Sequence, residues 1–177
     1  MFNIKFISNK FNIKNIPNGI TLLRLILIIP IIIFLEFDRI NYVWIILIIG
    51  SITDYFDGYI AKKFNLVSRF GSILDPVVDK IFISIPLIWL CLNETIPFWS
   101  LSLIIIREFI ISAIRENNKD GLPALKIAKF KTTFLFISLI ILFSPYTNDL
   151  IFTLGLVSYW IGYFLTLISL INYLKIK

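Results

Sequence analysis

Apolar residues in this chain gather into six long runs, at about 21–35, 42–62, 73–92, 97–115, 127–143 and 150–174, each closed by polar residues or turn formers. Most reach the roughly 17–25 residues that a helix needs to cross a hydrocarbon core. The breaks are Pro17-Asn18-Gly19, Glu36-Phe37-Asp38-Arg39, the stretch from Asn65 to Phe70 and Asn93-Glu94-Thr95. This pattern predicts an all-α integral membrane protein with six transmembrane helices. A juxtamembrane segment over 1–18 comes first, and residues 19–177 form one membrane domain with no tandem repeat and no room for a second domain. Within 1–18, Phe2, Ile4, Phe6, Ile7, Phe11 and Ile13 are interleaved with Lys5, Lys10 and Lys14. That mixture reads equally as a basic segment lying on an anionic membrane surface or as a basic tail. Arg24 interrupts the first run and no small-residue cleavage site follows, so the N-terminal stretch is expected to be retained rather than removed as a signal peptide.

Composition agrees with this reading, at 58% apolar residues and a mean hydropathy of +0.90. Histidine is absent, which excludes Ser-His-Asp and Cys-His catalysis, histidine metal sites and a phosphohistidine route. The lone cysteine, Cys91, lies in an apolar run and reads as packing. Charge then orients the chain. Numbering the span ends alternately, every Lys and Arg except Arg39 falls on one side. By the positive-inside rule both termini are cytoplasmic in a multi-pass protein of the cell inner membrane. Trp89 and Trp99 sit near the opposite boundary, where aromatic belts belong. Membrane lipids are the expected surroundings, and no nucleic-acid partner is expected.

The acids are harder to place. Asp54, Asp57, Gly58, Ala61 and Lys62 are spaced i, i+3, i+4, i+7 and i+8, one face of a helix, and Asp75 and Asp79 share a face of the next. Two facing stripes bring four carboxylates together, with Gly58 and Gly71 letting the backbones approach. A charge at mid-membrane costs about 2.5–3.5 kcal/mol, less toward the interface, so four acids need a compensating reason. Oxygen-only ligands suit Mg²⁺ or Mn²⁺, and a pair of such ions clamps a phosphoryl displacement. A blander account makes Asp75 an N-cap before Pro76, and pairs Asp79 with Lys80 and Asp57 with Lys62. A second cluster is basic. Arg107 and Arg115 are eight apart on one face, and Lys126, Lys129 and Lys131 open the fifth run. Arg107 lies among apolar residues and needs an anion: Glu108, an aspartate of the first cluster or a bound phosphate.

The acid stripe resembles the CDP-alcohol phosphatidyltransferase signature D-x2-D-G-x2-A-R-x8-G-x3-D-x3-D, matched by Asp54, Asp57, Gly58, Ala61, Gly71, Asp75 and Asp79. Lys62 stands where that family has arginine; it keeps the charge but not the bidentate fork. Asn15-Ile16-Pro17-Asn18 with Leu22-Leu23-Arg24, the segment from Arg107 to Glu116, and Ala128-Lys129-Phe130-Lys131-Thr132-Thr133 are similar to the phosphatidylglycerophosphate-synthase branch of the family. The resemblance implies transfer of a phosphatidyl group from CDP-diacylglycerol to glycerol 3-phosphate, releasing CMP. It implies Asp54, Asp57, Asp75 and Asp79 as ligands of one or two Mg²⁺ or Mn²⁺ ions, with Asp79 also the base. Asp57, Gly58, Ala61, Lys62 and Gly71 would then bind CDP-diacylglycerol, and Arg107, Arg115, Lys129 and Lys131 the glycerol phosphate. A homodimer is implied as well. A sister enzyme using serine, inositol phosphate or phosphatidylglycerol, and a transporter whose acids coordinate a moving cation, are the alternatives.

Overall fold

The computed structural model describes the backbone over residues 16–64, 69–117 and 126–175, and side chains over 22–53, 74–114 and 127–175. These residues form six helices: α1 (Ile16–Glu36), α2 (Ile40–Phe64), α3 (Arg69–Leu92), α4 (Phe98–Asn117), α5 (Lys126–Leu142) and α6 (Asp149–Lys175). No strand occurs among the described residues. Residues 1–15 of the N-terminal segment lie outside them.

Helix ends follow local chemistry. Asp38 and Glu94 adopt positive φ of 53° and 57°. Each closes its helix through a 6→1 bond, Arg39 N–H to the Phe34 carbonyl at 2.8 Å and Thr95 N–H to the Leu90 carbonyl at 2.9 Å. At the start of α6 the Asn148 side chain accepts from the Ile151 N–H at 2.8 Å, an N-cap strengthened by Asp149 in the first turn.

Three boundaries differ from expectation. Helix α1 starts at Ile16, so Pro17-Asn18-Gly19 lies in its first turn instead of preceding it; a proline costs little there because that N–H has no intrahelical acceptor. Arg69 and Phe70, expected within a turn over 65–70, belong to α3, while 65–68 lie outside the described residues. Asp75 is not an N-cap: it and Pro76 lie inside α3, more than a turn beyond its start, and Pro86 is interior too. Each interior proline removes one i→i−4 bond, which neighbouring helices make tolerable.

Helix α1 packs against both α2 and α3, α5 and α6 form a close antiparallel pair, and α4 bridges α6 and α3. Close approach depends on missing side chains. A Cβ on Gly50 of α2 would stand 2.2 Å from Cζ of Phe82 on α3, so the ring fills the gap the glycine leaves. Gly155 and Gly162 do the same on α6, against Leu142 and Leu135 of α5. Ser158 Oγ donates to the Phe134 carbonyl across that seam at 2.9 Å, and Trp44 Nε1 donates to the Ile140 carbonyl, tying α2 to α5. The hydroxyls of Ser100 and Tyr159, 2.6 Å apart, tie α4 to α6.

Helix α6 buries Gly155, Ser158, Gly162, Thr166 and Ser169 while Leu150, Leu154, Phe164, Ile168 and Leu174 face outward. Small and hydroxyl-bearing residues, Tyr159, Tyr163 and Tyr173 included, lie inside and large apolar residues outside, which inverts the pattern of a water-soluble helix and matches helix packing in lipid. By length and composition α6 is the one helix that qualifies alone as a membrane span among the described residues. In α2 the apolar stretch that qualifies by composition is short, Ile40–Thr53.

Candidate functional site

Of the acid stripe, helix α3 carries the two members whose side chains are described. Asp75 and Asp79 lie four residues apart, one turn, and both are half-buried. From α1, Arg24 donates from Nη1 to Oδ1 of Asp79. Arg24 is buried, at 2% exposure, so this pair holds one side of the half-buried Asp79 carboxylate against α1.

The remaining acids of the stripe, Asp54 and Asp57, sit in the C-terminal half of α2 with Gly58, Ala61 and Lys62, and Gly71 sits in the first turn of α3; their side chains are outside the described set. Helix register still places them. From the Gly50–Phe82 contact, Asp54 is about 6 Å along α2 and Asp79 about 4.5 Å back along α3; Asp57 and Asp75 are each about 10.5 Å away, at 1.5 Å per residue. The two pairs of acids therefore occupy matching heights on adjacent antiparallel helices. Carboxylate oxygens are the donor type that Mg²⁺ and Mn²⁺ prefer; among the described residues, Asp75 and Asp79 supply two such groups one turn apart.

A cavity of ≈ 610 Å³ opens between α3, α4, α5 and α6, with Asp79 and Lys80 on one wall and Arg107, Glu108, Lys131 and Tyr173 on the others. Glu108 answers the question the sequence left about Arg107. Its Oε1 accepts from Arg107 Nη1 at 3.0 Å and from Lys131 Nζ. Arg107 Nη2 donates to Ser169 Oγ at 2.7 Å, and its guanidinium lies 5.8 Å from the centre of the Tyr173 ring. The arginine is thus held at two edges and on one face. On the α3 side Lys80 Nζ bonds Ser112 Oγ, which in turn donates to the Glu108 carbonyl at 2.7 Å. Three cations and two carboxylates line the space, and Arg24 pairs with one of those carboxylates from outside it.

Of the four residues expected to bind glycerol phosphate, the structure brings Arg107 and Lys131 together. Lys129 is exposed and does not line the cavity; two positions along a helix turn it about 200° from Lys131. Arg115 lies on α4 two turns beyond Arg107, its side chain outside the described set. Sequence reasoning missed Lys80, Ser112, Ser169 and Tyr173 as parts of this site, and Arg24 as partner of Asp79. The signal available for Arg24 was a lone arginine inside an apolar run, the same signal that marked Arg107.

A family model described as CDP-alcohol phosphatidyltransferase matches residues 14–168. Three relatives bear the name CDP-diacylglycerol–glycerol-3-phosphate 3-phosphatidyltransferase. The protein of Rickettsia typhi is 36% identical over 172 residues, covering 92% of this chain and 96% of its own. That of Wigglesworthia glossinidia brevipalpis is 38% identical over 176 residues, 92% of this chain and 94% of its own. That of Salmonella choleraesuis is 35% identical over 174 residues, 91% and 93%.

Proposed function

This chain belongs to the CDP-alcohol phosphatidyltransferase family, and on that premise we propose that it transfers a phosphatidyl group from CDP-diacylglycerol to glycerol 3-phosphate, releasing CMP. The observation that carries this reading is the cavity that has the Asp79 carboxylate on one wall and the Arg107–Glu108–Lys131 cluster on the other. An acceptor spanning it presents a hydroxyl to the acid and a phosphate to the cations. A phosphate monoester carries about 1.5–2 negative charges at neutral pH, which favours two or more cations over one.

Asp79 takes the proton of the acceptor hydroxyl, whose oxygen attacks the phosphorus bound to diacylglycerol while CMP leaves. Arg24 orients that carboxylate through their ion pair and is not itself part of the cavity lining. A divalent cation, Mg²⁺ or Mn²⁺, held by Asp54, Asp57, Asp75 and Asp79 would neutralise the donor diphosphate. Gly58 and Ala61 leave room beside α2 for the donor, and Lys62 supplies a charge for its phosphates. Arg107 and Lys131 hold the acceptor phosphate; Arg115, and Lys129 nearer the surface, attract it on approach. Ser169 and Tyr173 keep the Arg107 fork from turning.

All six helices cross the inner membrane in this reading, with both termini and the acid stripe at the cytoplasmic face. Their outward apolar residues, among them Ile29, Ile33, Ile45, Ile88, Ile106 and Ile137, support it, as does the one-sided distribution of Lys and Arg.

The test is acceptor-dependent CMP release. The protein in vesicles is supplied with CDP-diacylglycerol, Mg²⁺ or Mn²⁺, and in turn glycerol 3-phosphate, serine, inositol phosphate or phosphatidylglycerol. Release with glycerol 3-phosphate alone is expected. Release with another acceptor instead moves the chain to a sister activity, and release with none rejects the assignment.

A further inference from the structure

We propose that Lys80 is the third cation of the acceptor-phosphate pocket, presented by Ser112; the assignment rests on the reading of this cavity as the acceptor site. Neither residue was marked by its spacing, and both line the same cavity as Arg107 and Lys131.

The geometry begins with two consecutive residues of α3. Neighbours on a helix project about 100° apart, and here Asp79 reaches Arg24 on α1 while Lys80 reaches Ser112 on α4. The pair therefore splits its charges between two neighbours and lines the cavity with both. Ser112 stands one turn from Glu108 on α4, so Lys80 joins that helix about 6 Å along its axis from the level where Arg107 and Lys131 meet Glu108. Three helices thus each deliver one cation to a single space: Lys80 from α3, Arg107 from α4 and Lys131 from α5.

Lys80 differs from the others in its distance from the chemistry. It adjoins Asp79 in the chain, so an acceptor phosphate touching Lys80 is tied to the helix that bears the base. Fixing phosphate and hydroxyl of one small molecule against one rigid element is how orientation lowers a barrier. A lysine ammonium suits the task, since its three donors on a flexible stem follow a phosphate as the acceptor settles, while Ser112 limits its sweep. The donor diphosphate is the other phosphate that Lys80 meets in principle, and the kinetic arms below separate the two.

Initial rates are measured against glycerol 3-phosphate at saturating CDP-diacylglycerol, and then the reverse. Lys80→Met should raise KM for glycerol 3-phosphate about ten- to hundredfold, the scale of a charge-assisted bond, with KM for the donor changed by less than about threefold. Lys80→Arg should recover most of the loss, and Ser112→Ala should raise the acceptor KM a few-fold. A readout without turnover accompanies this. Glycerol 3-phosphate, with no donor present, should raise the unfolding temperature of the original protein, and Lys80→Met should need at least tenfold more of it for the same shift. A rise in donor KM with the acceptor KM unchanged overturns the proposal, as does an unaltered stabilisation by glycerol 3-phosphate. Arg107→Lys keeps the two readings apart. If it raises the acceptor KM and Lys80→Met does not, the Lys80 assignment falls alone; if neither does, the acceptor site itself falls.

Discussion

The ring of Phe82 on α3 occupies the space where a side chain of Gly50 on α2 would stand, with Cζ 2.2 Å and Cε1 2.6 Å from the position a Cβ would take. Phe82 is fully buried, so the ring has nowhere to retreat. This contact sets the register in which Asp54 and Asp57 run level with Asp79 and Asp75.

Gly50→Ala is therefore expected to destabilise the fold by about 1–3 kcal/mol, the range for overpacking a tight core. It should also lower activity beyond the loss of folded protein, because the two acid-bearing helices are pushed apart. Thermal unfolding and CMP release per folded molecule check this. A companion Phe82→Leu change should restore part of both, because the smaller side chain yields the space the methyl needs.

The Arg24–Asp79 pair predicts strong coupling. Asp79→Asn should cut turnover about 10²–10⁴-fold, the span of a lost general base, while leaving the helices intact. Arg24→Ala should also impair turnover, since the carboxylate loses its buried partner. In a double-mutant cycle on stability the two changes should depart from additivity by about 0.5–3 kcal/mol. Additive losses would show that the two side chains act separately.

Removal of divalent cations tests the acid stripe. A chelator should abolish CMP release, and Mg²⁺ or Mn²⁺ should restore it, with helical content unchanged. The core cluster, with Leu47, Phe82, Leu139 and Tyr159 among its members, is built of apolar contacts that include no carboxylate, so helical content is expected to survive loss of the ion. Activity that persists after exhaustive chelation would remove the metal from the reading.

At the α5–α6 seam, Gly162→Val should be worse than Gly162→Ala. A Cβ there meets Leu135 Cδ2 at 3.0 Å and the Leu135 backbone nitrogen at 3.3 Å; a backbone atom yields less than the end of a side chain. A loss of roughly 1–3 kcal/mol for valine is expected by thermal unfolding. Acceptor affinity should fall with it, because α6 carries Ser169 and Tyr173 to Arg107.

Six helices and their approximate ends were legible in the chain because a long apolar run has few folded solutions and because Asn, Pro and charged residues mark its limits. The run read as 42–62 became Ile40–Phe64, and that read as 150–174 became Asp149–Lys175. The pairing of Asp75 with Asp79 on one face was equally legible, since i and i+4 spacing is a local property of a helix. That Arg107 required an anion followed from its apolar surroundings.

Which anion it took did not follow. Glu108 as a shared partner of Arg107 and Lys131, and Asp79 as partner of Arg24 fifty-five positions away in the chain, depend on how each helix is rotated about its axis. The seam of Gly155, Ser158 and Gly162 decides that rotation for α6, and Gly50 with Phe82 decides it for α2 and α3. A sequence carries the period of a helix in its own residues, but the partner of a side chain is fixed by close packing between helices. That is why the acid stripe, Arg107 and Lys131 were visible from the chain alone, and only the tertiary structure added Lys80 and gathered all three cations around one cavity.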